Sequence, residues 1–133
     1  MRINATVKNS FGQHAVNVRT GESETALTIP GKPSGRGSGV NGGEFLMLAL
    51  ATCYCNDLYR EAQRLGIPID GVEVDAAADF PGVGLAARNV TYRARIRSQA
   101  SPDDLQRLLR ETDAVAEVHN TLRAAVPVQL VIG

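Results

Sequence analysis

The segment from Gly42 to Gly66, GGEFLMLALATCYCNDLYREAQRLG, decides the fold of this chain. Between Phe45 and Cys55 almost every residue is apolar, and a helix that is apolar on all sides has to be enclosed by protein. This run is shorter than the roughly 20 apolar residues that a helix needs to cross a bilayer. Gly66 is a typical residue just after a helix end. We therefore predict a core helix over residues 43–65.

The second half of this helix is predicted to have one apolar and one polar face. Leu58, Ala62 and Leu65 share the apolar face, because residues three and four apart lie on the same side of a helix. The polar residues, which are predicted to face solvent, are Arg60, Glu61, Gln63 and Arg64. One small subunit has little protein with which to cover the apolar first half, so we expect a homodimer.

Length and composition indicate a single domain of 133 residues. The formal net charge of zero gives no indication of a nucleic acid or a membrane surface as partner. The first residues have the alternation of a strand, so we expect no signal peptide. Its two cysteines do not make a disulfide framework, so we expect a cytoplasmic protein with reduced thiols.

The elements predicted along the chain follow the order β-β-β-α-β-β-α-α-β. An N-terminal sheet occupies residues 1–30, a Gly-rich loop covers 31–43, and the C-terminal part, 71–133, has the order β-β-α-α-β. Strands that come in runs favour an α+β fold with largely antiparallel sheets. The predicted strands are 2–7, 14–18, 25–29, 71–79, 89–97 and 126–132, and the later helices begin at Ser101 and span 114–124.

Cys53 and Cys55 lie on different faces of the predicted core helix. Cys53 lines up with Asn56 and Asp57, whereas a residue two positions away is turned by about 200°. A disulfide between the two thiols would therefore require the helix to break.

A thiol becomes nucleophilic where a neighbouring positive charge stabilises the thiolate. Arg36 in the Gly-rich loop is a candidate for that charge, and Glu44 is a candidate to hold the arginine in place. The functional hypothesis is a reactive thiolate at Cys53 that attacks a hydroperoxide. The alternative is that both cysteines are small buried hydrophobic residues.

The remaining candidate motifs predict no metal and no cofactor. Two diverging thiols and a distant His119 do not have the spacing of a zinc site, and a structural histidine is the preferred interpretation. The Gly-rich loop lacks the spacing of a nucleotide-binding P-loop.

Two segments of the sequence have a recognisable pattern. The first is EFLMLALATC, Glu44 to Cys53, followed by GIPIDGVEV, Gly66 to Val74, and the second is VHNTLRAAVPVQL, Val118 to Leu130. Together they resemble the OsmC/Ohr family of thiol-dependent hydroperoxide reductases, and the second segment is similar to the region of the family's second cysteine. The similarity extends from about Lys32 to the end of the chain.

The resemblance implies an intertwined homodimer in which antiparallel sheets wrap two long central helices, with active sites at the subunit boundary. It also implies that Cys53 is the peroxide-attacking cysteine and Glu44 the family's glutamate. The family's arginine comes from the N-terminal part of the chain, where Arg36 and then Arg19 are the candidates. The implied partners are a hydroperoxide and a thiol reductant.

The chain departs from the family pattern at the second cysteine. Ala116 stands at that position, and Glu117 and His119 replace a proline and a serine. Two functions therefore stay open. One is a one-cysteine peroxidase that is regenerated by an external thiol or by Cys55. The other is a module without peroxidase activity that binds a small apolar or thiol ligand at the dimer interface, with Asn56, Asp57 and His119.

Overall fold

The computed structural model describes residues 1–133 and contains two antiparallel sheets and three helices. It divides into two compact units, Met1–Phe45 and Leu46–Gly133. The elements are β1 (Ile3–Ser10), β2 (Gln13–Thr20), β3 (Ser23–Leu27), α1 (Gly42–Leu65), β4 (Gly71–Asp79), β5 (Arg88–Arg97), α2 (Pro102–Val115) and α3 (Glu117–Arg123). The predicted α+β class is confirmed. No helix is long and apolar enough to cross a membrane.

The first unit is built around a three-stranded antiparallel sheet in the order β1-β2-β3. β1 and β2 pair from Ile3↔Thr20 to Ser10↔Gln13, and Gly12 makes the tight turn between them with a φ of 78°. Glycine suits this turn because it has no Cβ to clash at positive φ. The strands are confirmed, although each differs from its predicted bounds by a few residues.

Helix α1 begins and ends with well-formed caps. At its start the Asn41 side chain accepts from the Glu44 backbone N–H at 2.8 Å, and the Glu44 carboxylate accepts from the Asn41 backbone N–H at 3.0 Å. This reciprocal pair is a capping box. At its end Gly66 has a φ of 70°, and the Ile67 N–H bonds the Ala62 carbonyl at 2.9 Å. The helix thus starts one residue before the predicted position and stops where predicted.

The second unit places β4 and β5 as an antiparallel pair and buries one face of α1. Its core consists of Tyr54, Leu58, Ala62, Ile67, Leu108 and Ala116. Ser101 caps α2 by accepting from the Asp104 N–H at 3.1 Å, with Pro102 at the first helical position, as predicted. The predicted helix over 114–124 is shorter, because Ala116 has an extended backbone that separates α2 from α3.

Two predictions about single elements are wrong. Residues 126–132 form no strand: no strand of the chain pairs with them, and Val128 and Leu130 are 97% and 87% exposed. An alternating apolar pattern forms a strand only where a neighbouring strand supplies hydrogen bonds. Glu61 does not face solvent but is 6% exposed, because Arg60 and Arg64 cover it and donate to its two carboxylate oxygens.

The apolar first half of α1 is only partly covered within one chain. Leu50 is buried, whereas Leu48 is 56% exposed. The enclosure that the sequence predicts is therefore incomplete in a single subunit.

Candidate functional site

Cys53 lies in the middle of α1, half-buried, and faces two carboxylates. Its Sγ donates to Asp57 Oδ2 at 3.6 Å, one helical turn further along. The Glu117 Oε2, at the start of α3, lies 3.9 Å from the same sulfur. The predicted shared face of Cys53 and Asp57 is confirmed, whereas Asn56 is exposed.

Arg60 is the cation of this cluster. Its guanidinium donates to Asp57 Oδ1 at 2.9 Å and lies 3.8 Å from Glu117 Oε1. Sequence reasoning assigned Arg60 only to the solvent-facing side. The signal that was missed is the spacing of three between Asp57 and Arg60, which brings opposite charges together on a helix surface.

The surroundings of Cys53 favour the protonated thiol. Burial raises the pKa of the Cys53 thiol, and the negative charges of Asp57 and Glu117 raise it further. Burial also raises the pKa of Asp57, while Arg60 acts in the opposite direction. The carboxylates of the second unit therefore act against the stable thiolate that the sequence predicts.

The other predicted site residues belong to the first unit. Arg36 is exposed, and Arg19 forms an ion pair with Glu24 at 3.2 Å on the neighbouring strand. Glu44 takes part in the capping box at the start of α1. A role for any of them beside Cys53 remains a prediction.

Cys55 is a half-buried free thiol, as is Cys53. α1 continues without interruption through both positions. The geometry therefore agrees with the prediction that a disulfide between them would need the helix to break.

One group of side chains has donor atoms close enough to share a metal ion. The Cys53 sulfur and the carboxylates of Asp57 and Glu117 lie within 4.8 Å of one another. Arg60 already pairs with both carboxylates, so a metal ion would have to compete with the guanidinium. The chemistry that this cluster supports directly is proton transfer between a thiol and a carboxylate.

His119, on α3, is 3% exposed and is surrounded by aromatic rings. Its ring centroid lies 4.4 Å from that of Tyr92 and 5.8 Å from that of Tyr54. Neither ring nitrogen has a hydrogen-bond partner. Burial lowers the pKa of His119, and the positive charge of Arg123 lowers it further, so the imidazole is neutral at pH 7.

A cavity of about 260 Å³ adjoins this histidine. Its walls are formed by Leu50, Val90, Tyr92, His119, Leu122 and Arg123. The cavity therefore does not combine His119 with Asn56 and Asp57, as the binding hypothesis assumed. Sequence reasoning assigned no role to Tyr92 or Arg123, because the alternation of a strand and the polar end of a short helix explain both residues.

Asp113 holds two of the residues that form the cavity wall. The Tyr92 hydroxyl donates to Asp113 Oδ1, and Arg123 Nη2 donates to the same oxygen at 2.6 Å. Because Asp113 neutralises Arg123, the wall carries little net charge.

Comparison with known proteins identifies the family. The family model described as OsmC-like protein matches residues 35–131. No curated protein sequence gives a significant match.

Several solved structures share the fold at low sequence identity. An OsmC-like protein from Mycoplasma pneumoniae has a TM-score of 0.65 and 18% identity, covering 92% of this chain and 86% of its own. An organic hydroperoxide resistance protein from Elizabethkingia anophelis has a TM-score of 0.63 and 19% identity, covering 92% and 89%. An OsmC-like hydroperoxide resistance protein from Jannaschia sp. has a TM-score of 0.59 and 16% identity, covering 98% and 93%.

At such identities the structural likeness supports the fold alone, whereas the family model covers most of the chain. The two segments that carried the resemblance, around Cys53 and after Val118, both lie inside the matched residues. The chain therefore belongs to the family of OsmC-like proteins.

Proposed function

We propose that this protein reduces small organic hydroperoxides in an oxidative stress response, with Cys53 as the single reacting cysteine. The observation that carries the proposal is the half-exposed thiol with a carboxylate oxygen of Asp57 3.6 Å away, in position to accept its proton. Family membership supports it, because two of the similar structures are described as hydroperoxide resistance proteins.

In the proposed first step the Cys53 sulfur attacks the distal oxygen of the hydroperoxide. An S–O bond forms, the O–O bond breaks, and the thiol proton passes through Asp57 to the departing alkoxide. The products are a sulfenic acid at Cys53 and an alcohol. Asp57 suits this role because its raised pKa makes it a better proton acceptor than an ordinary aspartate.

An external thiol completes the proposed cycle. One thiol condenses with the sulfenic acid to a mixed disulfide and releases water, and a second thiol displaces it to restore Cys53. The resemblance aligns Ala116 with the second family cysteine, and Cys55 lies on another face of α1. The reductant therefore has to come from outside the chain.

The test measures consumption of cumene hydroperoxide with dithiothreitol as donor. Cys53→Ser should reduce turnover to the uncatalysed rate, while Cys55→Ser should keep it. Turnover by Cys53→Ser at the wild-type rate would sink the proposal.

The variant Asp57→Asn distinguishes the role of Asp57 as a proton acceptor from the effect of its negative charge on the thiol. Removing the negative charge should speed alkylation of Cys53 by iodoacetamide at pH 7, because the thiolate fraction rises. The same variant should lower hydroperoxide turnover, because the proton acceptor is lost. If both rates rise together, Asp57 is only an inhibitory charge and not a base.

The resemblance also implies a cationic partner for the sulfur, for which Arg36 is the first candidate and Arg19 the second. Replacing each by alanine and measuring kcat/KM for the hydroperoxide distinguishes them. We expect a lower kcat/KM for Arg36→Ala. An unchanged kcat/KM in both variants would remove the arginine from the proposal.

We also propose that the protein acts as a homodimer in the cytoplasm. The exposed apolar residues of α1 and of the C-terminal segment, Leu48, Val128 and Leu130 among them, support a second copy as cover. Light scattering on the purified protein tests this, and a monomer at micromolar concentration contradicts it.

The second candidate is an OsmC-like binding module without peroxidase activity. It is favoured by the carboxylates that raise the pKa of Cys53. Consumption of cumene hydroperoxide that depends on Cys53 supports the peroxidase, whereas a folded wild-type protein without turnover supports the module.

A further inference from the structure

The buried carboxylate of Glu61 belongs to a chain of ion pairs that ends beside Cys53. The chain joins side chains of α2 and α1 whose charges alternate, in the order Arg107, Glu111, Arg64, Glu61, Arg60 and Asp57. Its last carboxylate, that of Asp57, lies 3.6 Å from the Cys53 sulfur through Oδ2. The ion pairs therefore connect the surface of α2 with the thiol that is proposed to react.

Glu61 uses both of its carboxylate oxygens to hold arginines. Oε2 accepts from Arg60 Nε at 3.3 Å, and Oε1 accepts from Arg64 Nε at 3.0 Å. Burying a carboxylate costs free energy unless its partners are fixed in good geometry. The reaction proposed for Cys53 does not itself use Glu61, so the position of the two arginines is what this buried charge determines.

The guanidinium of Arg60 is held at two of its nitrogens. Nε is bonded to Glu61, and Nη1 donates to Asp57 Oδ1 at 2.9 Å. Two bonds from one planar guanidinium fix its orientation as well as its place. Nη1 also lies 3.8 Å from Glu117 Oε1, on a side chain that is 70% exposed. Without Glu61, the guanidinium could turn away from Asp57 towards Glu117.

We propose that Glu61 is a positioning residue, which holds Arg60 on Asp57 Oδ1 so that Oδ2 stays directed at the Cys53 sulfur. The inference rests on the proposed role of Asp57 as proton acceptor. It extends that role to a side chain whose own bonds are to arginines and not to the thiol.

The ionisation of Asp57 depends on the groups that face it. These are Cys53 and Arg60 on α1 and Glu117 on α3. Burial raises the pKa of Asp57, Arg60 opposes this change, and Glu117 adds to it. A carboxylate has to be ionised in order to accept a proton. Releasing Arg60 should therefore raise the pH below which Asp57 no longer accepts the thiol proton.

The direct test follows the titration of the Asp57 carboxyl carbon by ¹³C NMR. Glutamine has a single side-chain oxygen, so Glu61→Gln can accept from only one of the two arginines. We expect Asp57 to titrate at higher pH in Glu61→Gln than in the wild type, and at still higher pH in Arg60→Ala. The matched control is Glu73→Gln, which removes an exposed carboxylate bonded to Arg95 at 3.1 Å, and it should leave the titration unchanged.

The pH profile of kcat/KM for cumene hydroperoxide gives a second readout. On the acidic limb Glu61→Gln should lower kcat/KM about tenfold, within the range of about 10²–10⁴ that a general base contributes. At pH 8 it should equal the wild type. A loss of similar size at every pH would indicate a structural role only and contradict the proposal. A wild type without turnover would refute the proposed peroxidase activity, whereas the Asp57 titration still decides the role of Glu61.

Arg60→Lys tests the same contact without removing a buried charge, so it decides the matter if Glu61→Gln does not fold. Lysine keeps the positive charge but lacks the planar fork that reaches two carboxylates. We expect Asp57 in this variant to titrate at a pH between those of the wild type and Arg60→Ala. An Asp57 titration identical to the wild type in Glu61→Gln would overturn the proposal. The same result in Arg60→Lys would also overturn it, because a positive charge alone would then suffice.

Discussion

Cys53 and His119 lie in the same compact unit, and burial favours the uncharged form of both, but charged groups bond directly only to Cys53. Around Cys53 the second unit provides charges, because Asp57 and Glu117 flank the sulfur and Arg60 pairs with both. Around His119 it provides almost none within hydrogen-bond reach, and burial among aromatic rings sets the protonation state. A charged shell can be changed by a single substitution or by salt, whereas burial changes only if the core does.

The largest expected effect on stability comes from a cavity in the hydrophobic core that both regions share. Leu58 on α1 is completely buried, and Leu58→Ala should destabilise the protein by about 2–5 kcal/mol. The neighbouring Tyr59 is 46% exposed, and Tyr59→Ala should change stability by no more than about 0.5 kcal/mol. Urea denaturation measures both, and similar losses in the two variants would show that α1 is not anchored through Leu58.

The next effect concerns the unpaired nitrogens of His119. His119→Phe should stabilise the protein by about 1 kcal/mol, because an unpaired buried polar group is replaced by an apolar ring of similar shape. Thr112→Val, at a second buried unpaired group, should act in the same direction. Thermal melting measures both changes. A lower melting temperature for His119→Phe would mean that the imidazole has a partner after all.

The pH dependence of stability should distinguish the contribution of His119 from that of Cys53. The pKa of His119 is lowered from its usual 6.5, so the unfolded chain takes up the proton first and stability falls as pH drops below about that value. The pKa of Cys53 is raised from its usual 9.0, so its contribution is present below that pH and is lost as pH rises through the folded value.

Variants assign each side of the pH profile. His119→Phe should flatten the decline in acid without affecting the alkaline side, and Cys53→Ser should do the reverse. Free energies of unfolding from urea titrations between pH 5 and pH 10 provide the measurement. If the stability of His119→Phe still declines in acid, the decline has to be assigned to the carboxylates instead.

The smallest expected effect concerns Glu117, the more exposed of the two carboxylates near Cys53. Glu117 is 70% exposed, so water screens its influence on Cys53. Glu117→Gln should raise the rate of alkylation of Cys53 at pH 7 by less than Asp57→Asn does, because the Asp57 carboxylate is only 8% exposed. The control Asp103→Asn, on an exposed turn of α2, should leave the rate unchanged. A larger effect from Glu117 would reverse this order and point to a closer contact in solution.

The sequence predicted the helices and the first five strands because their causes are local. Gly66 at positive φ, Ser101 as a cap and the alternation in 88–97 each act within a few residues. The prediction of a C-terminal strand was wrong because a strand depends on a pairing partner that its own sequence pattern does not reveal. The segment 126–132 has the alternation without the neighbour.

The candidate site could be predicted only where it lies on one element. Cys53 and Asp57 share a helix turn, so their contact follows from spacing. Glu117 and His119 enter from α3, and their neighbours on α1 and β5 depend on how three elements pack. The protonation of Cys53 could not be predicted for the same reason, since the second carboxylate comes from 64 positions further along the chain.

The reciprocal hydrogen bonds between Asn41 and Glu44 have a consequence for mutagenesis of this glutamate. Alanine at position 44 would fray the first turn of the helix that carries both cysteines, so lost turnover could not be assigned to chemistry. Glutamine is equally able to close the cap and lacks only the charge. Glu44→Gln is therefore the substitution that distinguishes a carboxylate that serves the substrate from one that serves the helix.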